Sequence, residues 1–148
     1  MAEIVDQYLE QEDWREVAKD SLEESDTRTL VAENLGTCMG IAAYDPKTGR
    51  GYLLHASTLE NPDLDAQVEK FTGKLEEIER PFEVLAGGTM PASFDPLAEE
   101  DYTREARDTA ENVLDNRGID YEAAWNQRPV YNRLAVSPRY GILYDIWE

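Results

Sequence analysis

Apolar and polar positions follow two rhythms along this chain. Over residues 2–24, Ile4, Tyr8, Leu9, Trp14 and Val17 recur at loosely helical steps with acids between them, which predicts one helix or two short ones. "ESDTR" breaks that rhythm. "TLVAE" (29–33) and "CMGIAAY" (38–44) are small-residue and β-branched runs too short for helices, and they predict strands. Between Tyr44 and Tyr52, "DPKTGRG" supplies a proline that presets a turn φ and glycines that tolerate positive φ, so the chain reverses and "YLLHA" is the return strand. Leu64, Val68, Phe71, Leu75 and Ile78 then fall at steps of four and three, giving a helix with one apolar stripe that Asn61 caps, Pro62 starts and Pro81 ends. "FEVLAGGTM" is a further strand, in which Gly87 and Gly88 mark a tight bend or a close backbone approach. Residues 99–117 form a second amphipathic helix, with Tyr102, Ala106, Ala110, Val113 and Leu114 on one side and Gly118 at its C-cap. The tail alternates through "PVYNRLAVS" and "GILYDI" about "PRYG", a second hairpin signal.

This order predicts an α+β fold, a layered α/β/β sandwich with a mixed or antiparallel sheet built from β-hairpins and two or three helices. No repeat, low-complexity tract or linker divides the 148 residues, which fit one globular domain with residues 1–28 as an N-terminal helical extension. With 41% apolar residues the chain folds despite 31% charged ones. No apolar run approaches the roughly 20 residues of a membrane span, and the start lacks a basic segment followed by an apolar one; a cytoplasmic protein without membrane insertion is expected.

Charge narrows the partners. The 32 acids against 14 bases give a net charge of −18, which repels phosphate backbones and anionic lipid heads, so no nucleic-acid partner is expected. The bases are ten Arg and four Lys, and this balance looks like that of halophilic proteins, whose self-repulsion is screened at high salt. The single Cys cannot form an internal disulfide or supply a multi-Cys zinc site, and neither a metal nor an organic cofactor is expected.

The only cysteine, Cys38, and the only histidine, His55, carry the candidate chemistry. A cysteine attacks as its thiolate, and an imidazole with a pKa near neutrality can take the thiol proton and later return it to a leaving group. Cys38 follows the glycine-containing turn "NLGTC", where backbone N–H groups of Cys38 and a neighbour could form an oxyanion hole. Folding the hairpin about a midpoint between Pro46 and Lys47 sets residue 38 across from residue 55. Both residue types are also common core residues, so spacing alone does not decide. Gly87 and Gly88 lack the remaining elements of a nucleotide loop and are read as structural, and the acids at 99–101 suit a helix N-terminus.

The segment from Leu35, Gly36, Thr37 and Cys38 through Tyr44, Asp45, Gly49 and Gly51 to His55 resembles the CheD family of chemoreceptor glutamine deamidases in order and in Cys-to-His spacing. The resemblance is strong over 35–58 and looser over the rest of 29–146, which makes 29–148 a CheD-like domain. It implies a thiol-dependent deamidase that converts protein glutamine to glutamate through a Cys38 thioester, with His55 as acid and base. It also implies methyl-accepting chemoreceptors as substrates and the phosphatase CheC as a docking regulator. Two departures stand out: the family's threonine six residues before the cysteine is Ala32, and only Arg133 matches the arginine of its closing hairpin. With Ala32 in place, another group must orient His55, and Asn34, Thr37, Ser57 and Thr58 are the nearby candidates. Ala32 also keeps open a related thiol amidohydrolase acting on another amide and a non-catalytic CheD-like binding module.

Overall fold

A computed structural model describes residues 9–10, 13–33, 35–89, 102–126 and 131–147. Among these residues nine strands form two sheets beside two helices, and Leu9 and Glu10 are also helical. The strands are β1 (Trp14–Glu16), β2 (Ser21–Ser25), β3 (Thr29–Ala32), β4 (Met39–Asp45), β5 (Arg50–Ala56), β6 (Glu83–Gly88), β7 (Glu122–Trp125), β8 (Tyr131–Ser137) and β9 (Gly141–Trp147); the helices are α1 (Leu64–Leu75) and α2 (Tyr102–Asn116). The first sheet has the order β1-β3-β8-β9 and the second β2-β5-β4-β6-β7. Pairing is antiparallel except for β1 with β3 and β6 with β7, so both sheets are mixed. The predicted α+β layered sandwich is the observed architecture.

Strand periodicity sorts the side chains into layers. Met39, Ile41 and Ala43 of β4, with Leu54 and Ala56 of β5 and Val84 and Ala86 of β6, pack under Val68, Phe71 and Leu75 of α1 and Ala110 and Leu114 of α2. The alternate residues, Ala42 and Leu53, meet Leu30, Ala32, Leu134 and Val136 of the first sheet and Leu35 between the sheets. Each fully buried leucine or phenylalanine contributes about 1.5–3 kcal/mol through removal of apolar area from water.

Three expectations are corrected. Residues 14–16 and 21–25 are strands in different sheets, where one helix or two short ones are expected over 2–24; Leu9 and Glu10 are helical, and residues 2–8 and 11–12 lie outside the described residues. Leu22 of β2 sits opposite Leu54 of β5, and pairing with that buried strand outweighs the weak helical spacing of its acids. Glu122–Trp125 is a strand that the sequence does not announce. The first helix begins at Leu64, with Asn61 Oδ1 accepting the Asp63 N–H at 3.1 Å, so Pro62 lies in the preceding turn. The other helix ends as expected: Gly118 takes φ 67°, and the Ile119 N–H reaches the Leu114 carbonyl at 3.0 Å. Its expected start at residues 99–101 lies outside the described residues.

Candidate active site at the mouth of the hairpin

Cys38 and His55 share one face of the second sheet. In the β4–β5 ladder Met39 faces Ala56 and Gly40 faces His55, so Cys38, one residue before the strand, is the diagonal neighbour of His55 on the same side. That side looks toward the first sheet. A Cβ on Gly40 would meet Leu35 Cδ1 at 2.7 Å and Leu134 Cδ2 at 3.0 Å, and half-buried Cys38 packs against the inter-sheet cluster.

Direct opposition of residues 38 and 55 is therefore corrected. The turn centres one residue later than expected, between Lys47 and Thr48. The Asp45 carboxylate accepts the Lys47 N–H at 3.0 Å and the Thr48 hydroxyl at 2.9 Å, while the Gly49 N–H, at φ 73°, bonds the Asp45 carbonyl at 2.9 Å. Moving the centre by one residue moves each pairing by two positions, which preserves the face while losing the opposition. Diagonal neighbours lie roughly 7–8 Å apart, a gap that an aromatic ring can span. No hydrogen bond joins Cys38 Sγ to His55 among the described residues.

His55 is 7% exposed, and its Nδ1 lies 3.0 Å from the Val17 carbonyl oxygen. A carbonyl only accepts, so Nδ1 carries the proton and the neutral ring keeps its lone pair on Nε2, the form a general base requires. The same connection between β1 and β2 ties its Asp20 N–H to the His55 carbonyl at 2.6 Å. Among the described residues the His55 ring bonds this Val17 carbonyl and none of Thr37, Ser57 and Thr58. Ser57 gives its N–H and hydroxyl to Asp20 Oδ1, each at 2.9 Å, and Thr58 gives its hydroxyl to the Thr37 carbonyl at 3.0 Å. Thr37 is half-buried in the turn, and Asn34 lies outside the described residues.

In the turn from Leu35 to Cys38 three carbonyls are hydrogen-bonded, and the Leu35 N–H bonds the Asn132 carbonyl at 2.9 Å. The Leu35 carbonyl accepts from Asn126 Nδ2 at 3.3 Å, the Thr37 carbonyl from Thr58, and the Cys38 carbonyl from the Thr89 N–H at 2.9 Å. Among the described residues, the N–H groups of Thr37 and Cys38 meet no acceptor. Open donors beside a nucleophile are what an oxyanion needs. Gly88 makes the close approach possible: at φ 85°, a Cβ there would stand 2.5 Å from the Cys38 carbonyl oxygen. Gly87 similarly leaves room for the Tyr144 ring, whose hydroxyl accepts the Gly88 N–H at 3.1 Å.

Burial pushes the Cys38 thiol above its ordinary pKa; the Lys19 ammonium opposes this and the Asp20 carboxylate adds to it. The resting sulfur is therefore a protonated thiol at neutral pH. Ala32 is fully buried in the inter-sheet cluster, so a methyl stands where the CheD pattern carries a hydroxyl. Arg133, buried in β8 with Glu33 Oε1 3.9 Å from its guanidinium, alternates with Leu134 and so lies on the face turned away from Cys38. Among the described residues, no group of three or more His, Cys, Asp and Glu side chains is placed to hold a metal ion, and no helix is long and apolar enough to cross a membrane.

No family model matches the chain, and no curated protein matches it in sequence. Solved structures are similar to it. One is a hypothetical protein YfiH from Bacillus licheniformis, 11% identical with a TM-score of 0.45, covering 70% of this chain and 49% of its own. Another is a Neisseria meningitidis protein of the DUF152 family model, 12% identical with a TM-score of 0.50, covering 86% of this chain and 68% of its own. This chain thus spans about half the length of the Bacillus protein. At 12% identity the likeness to the Neisseria protein is one of fold alone, and no comparison matches the chain to the CheD family.

Proposed function

We propose that this protein is a thiol-dependent amidohydrolase whose substrates are protein glutamine side chains, deamidated to glutamate at Cys38. The observation that carries this reading is the turn itself: the N–H groups of Thr37 and Cys38, which meet no acceptor among the described residues, flank a sulfur on the same face as an imidazole whose Nε2 meets no partner among them. Because the thiol is protonated at rest, proton transfer accompanies attack. His55 Nε2 takes the proton as Sγ bonds to the carboxamide carbon, and the oxyanion rests on the two amides. Collapse breaks the C–N bond while the imidazolium protonates the departing ammonia. Water, deprotonated by His55, then hydrolyses the thioester to glutamate and restores the thiol. By the CheD resemblance the glutamines are those of methyl-accepting chemoreceptors, and CheC docks as a regulator. Thr58, which bonds the turn, also lines an open cleft of about 620 Å³ with Glu60, Asp65 and Glu105, a cleft that neither Cys38 nor His55 lines.

Two observations favour a second reading, a CheD-like binding module without turnover: the raised thiol and the lack of a hydrogen bond between Cys38 and His55. Incubation with a glutamine-bearing chemoreceptor fragment separates them. The enzyme adds about 1 Da per target glutamine with matching ammonia release, abolished by Cys38→Ala and slowed on the order of a hundredfold or more by His55→Ala. Binding of the fragment with no mass change supports the module; ammonia released only from small amides supports an amidohydrolase of different substrate.

A further inference from the structure

Arg107, on α2, reaches across the ends of two strands to both sides of the Cys38 turn. Its Nε donates to the Thr89 hydroxyl at 3.2 Å, and its Nη2 donates to the Thr89 carbonyl and, at 2.5 Å, to the Asn126 carbonyl. The guanidinium carbon stands 6.0 Å from the centre of the Trp125 ring, within cation–π range. Both residues it grips also bond the turn: Thr89 through the Cys38 carbonyl and Asn126 through the Leu35 carbonyl. Thr89 adopts φ 52°, a region a β-branched residue avoids unless its surroundings compel it. Directly after Gly88 at φ 85°, that conformation aims the Thr89 N–H at the Cys38 carbonyl.

We infer that Arg107 is a positioning residue for the Cys38 turn: it holds Thr89 in a left-handed conformation and anchors Asn126, so that the turn keeps its open amides and its sulfur beside His55. The inference rests on the thiol-hydrolase reading above. Without the guanidinium, Thr89 relaxes to negative φ and withdraws its N–H from Cys38, and the thiol loses register with the imidazole.

The test measures iodoacetamide labelling of Cys38 at neutral pH, with and without His55→Ala, in the wild type and in Arg107→Gln, alongside thermal melting. In the wild type His55 accelerates labelling about tenfold or more, the signature of base assistance. In Arg107→Gln that ratio falls toward one. Adding Thr89→Gly, which accepts positive φ without strain, restores part of it and also serves as the measurable variant where Arg107→Gln alone does not fold. A lowered melting point with the ratio unchanged makes Arg107 a structural residue only and overturns the inference while leaving the thiol hydrolase standing. A wild-type ratio of one removes the hydrolase reading, and the inference with it.

Discussion

Burial holds the Cys38 thiol above its ordinary pKa, and the Lys19 ammonium only partly offsets that. A group whose folded pKa is raised favours its protonated form in the fold. Its stabilising contribution is complete below the unfolded value of about 8.5 and is lost as pH climbs through the folded value. Labelling by direct ionisation should therefore rise at higher pH than in free cysteine, and Lys19→Glu should push that rise higher still. In His55→Ala, where base assistance is absent, a labelling profile at or below that of free cysteine would contradict this environment. At this scale the sequence discloses side chains better than backbone. Cys38 and His55 are conspicuous as the only residues of their kinds, whereas the Val17 carbonyl that fixes the imidazole has no signature, since every residue carries one. Thr89, Arg107 and Asn126 are hidden for a related reason: their roles come from non-local hydrogen bonds, and only the adjacent Gly87 and Gly88 hint at a tight approach.

Among the elements, the β4–β5 hairpin sets the geometry of the pair, and Asp45 sets the hairpin. Burial alone would raise the Asp45 carboxyl, but bonds from the Lys47 N–H and the Thr48 hydroxyl, with the nearby Lys47 charge, bring it below the usual range. A depressed folded pKa contributes stability that is present above the unfolded value of about 3.9 and fades as pH falls through the folded one. Asp45→Ala should cost about 1–2 kcal/mol by leaving the turn donors without their acceptor. Chemical denaturation measures this, and an unchanged midpoint would refute the role given to the turn. The hairpin is legible because proline, glycine and aspartate act locally; its register is not, because it depends on which of several turn closures wins. The short edge strands escape for another reason. In β2, "SLEES" is polar because it borders solvent, and its pairing energy comes from β5, far along the chain. In β7, "EAAW" pairs in parallel with β6, and nothing in four residues announces it.

For the whole molecule, the layered sandwich follows from the alternation of helix-like and strand-like stretches, while the division of strands between two sheets depends on pairings that only the folded chain reveals. Charge acts at this scale as well. A net charge of −18 makes the compact state repel itself, and salt relieves the repulsion. We propose a halophilic surface, for which the melting temperature rises from low to molar sodium chloride; a flat or falling curve would reject it. The N-terminal segment has a consequence of its own. It threads β1 into one sheet and β2 into the other, and the link between them carries the carbonyl that holds His55. A fragment trimmed to begin at residue 29 would therefore not be a minimal domain freed of an appendage: it would have lost the peptide group that tells its histidine which nitrogen to keep bare.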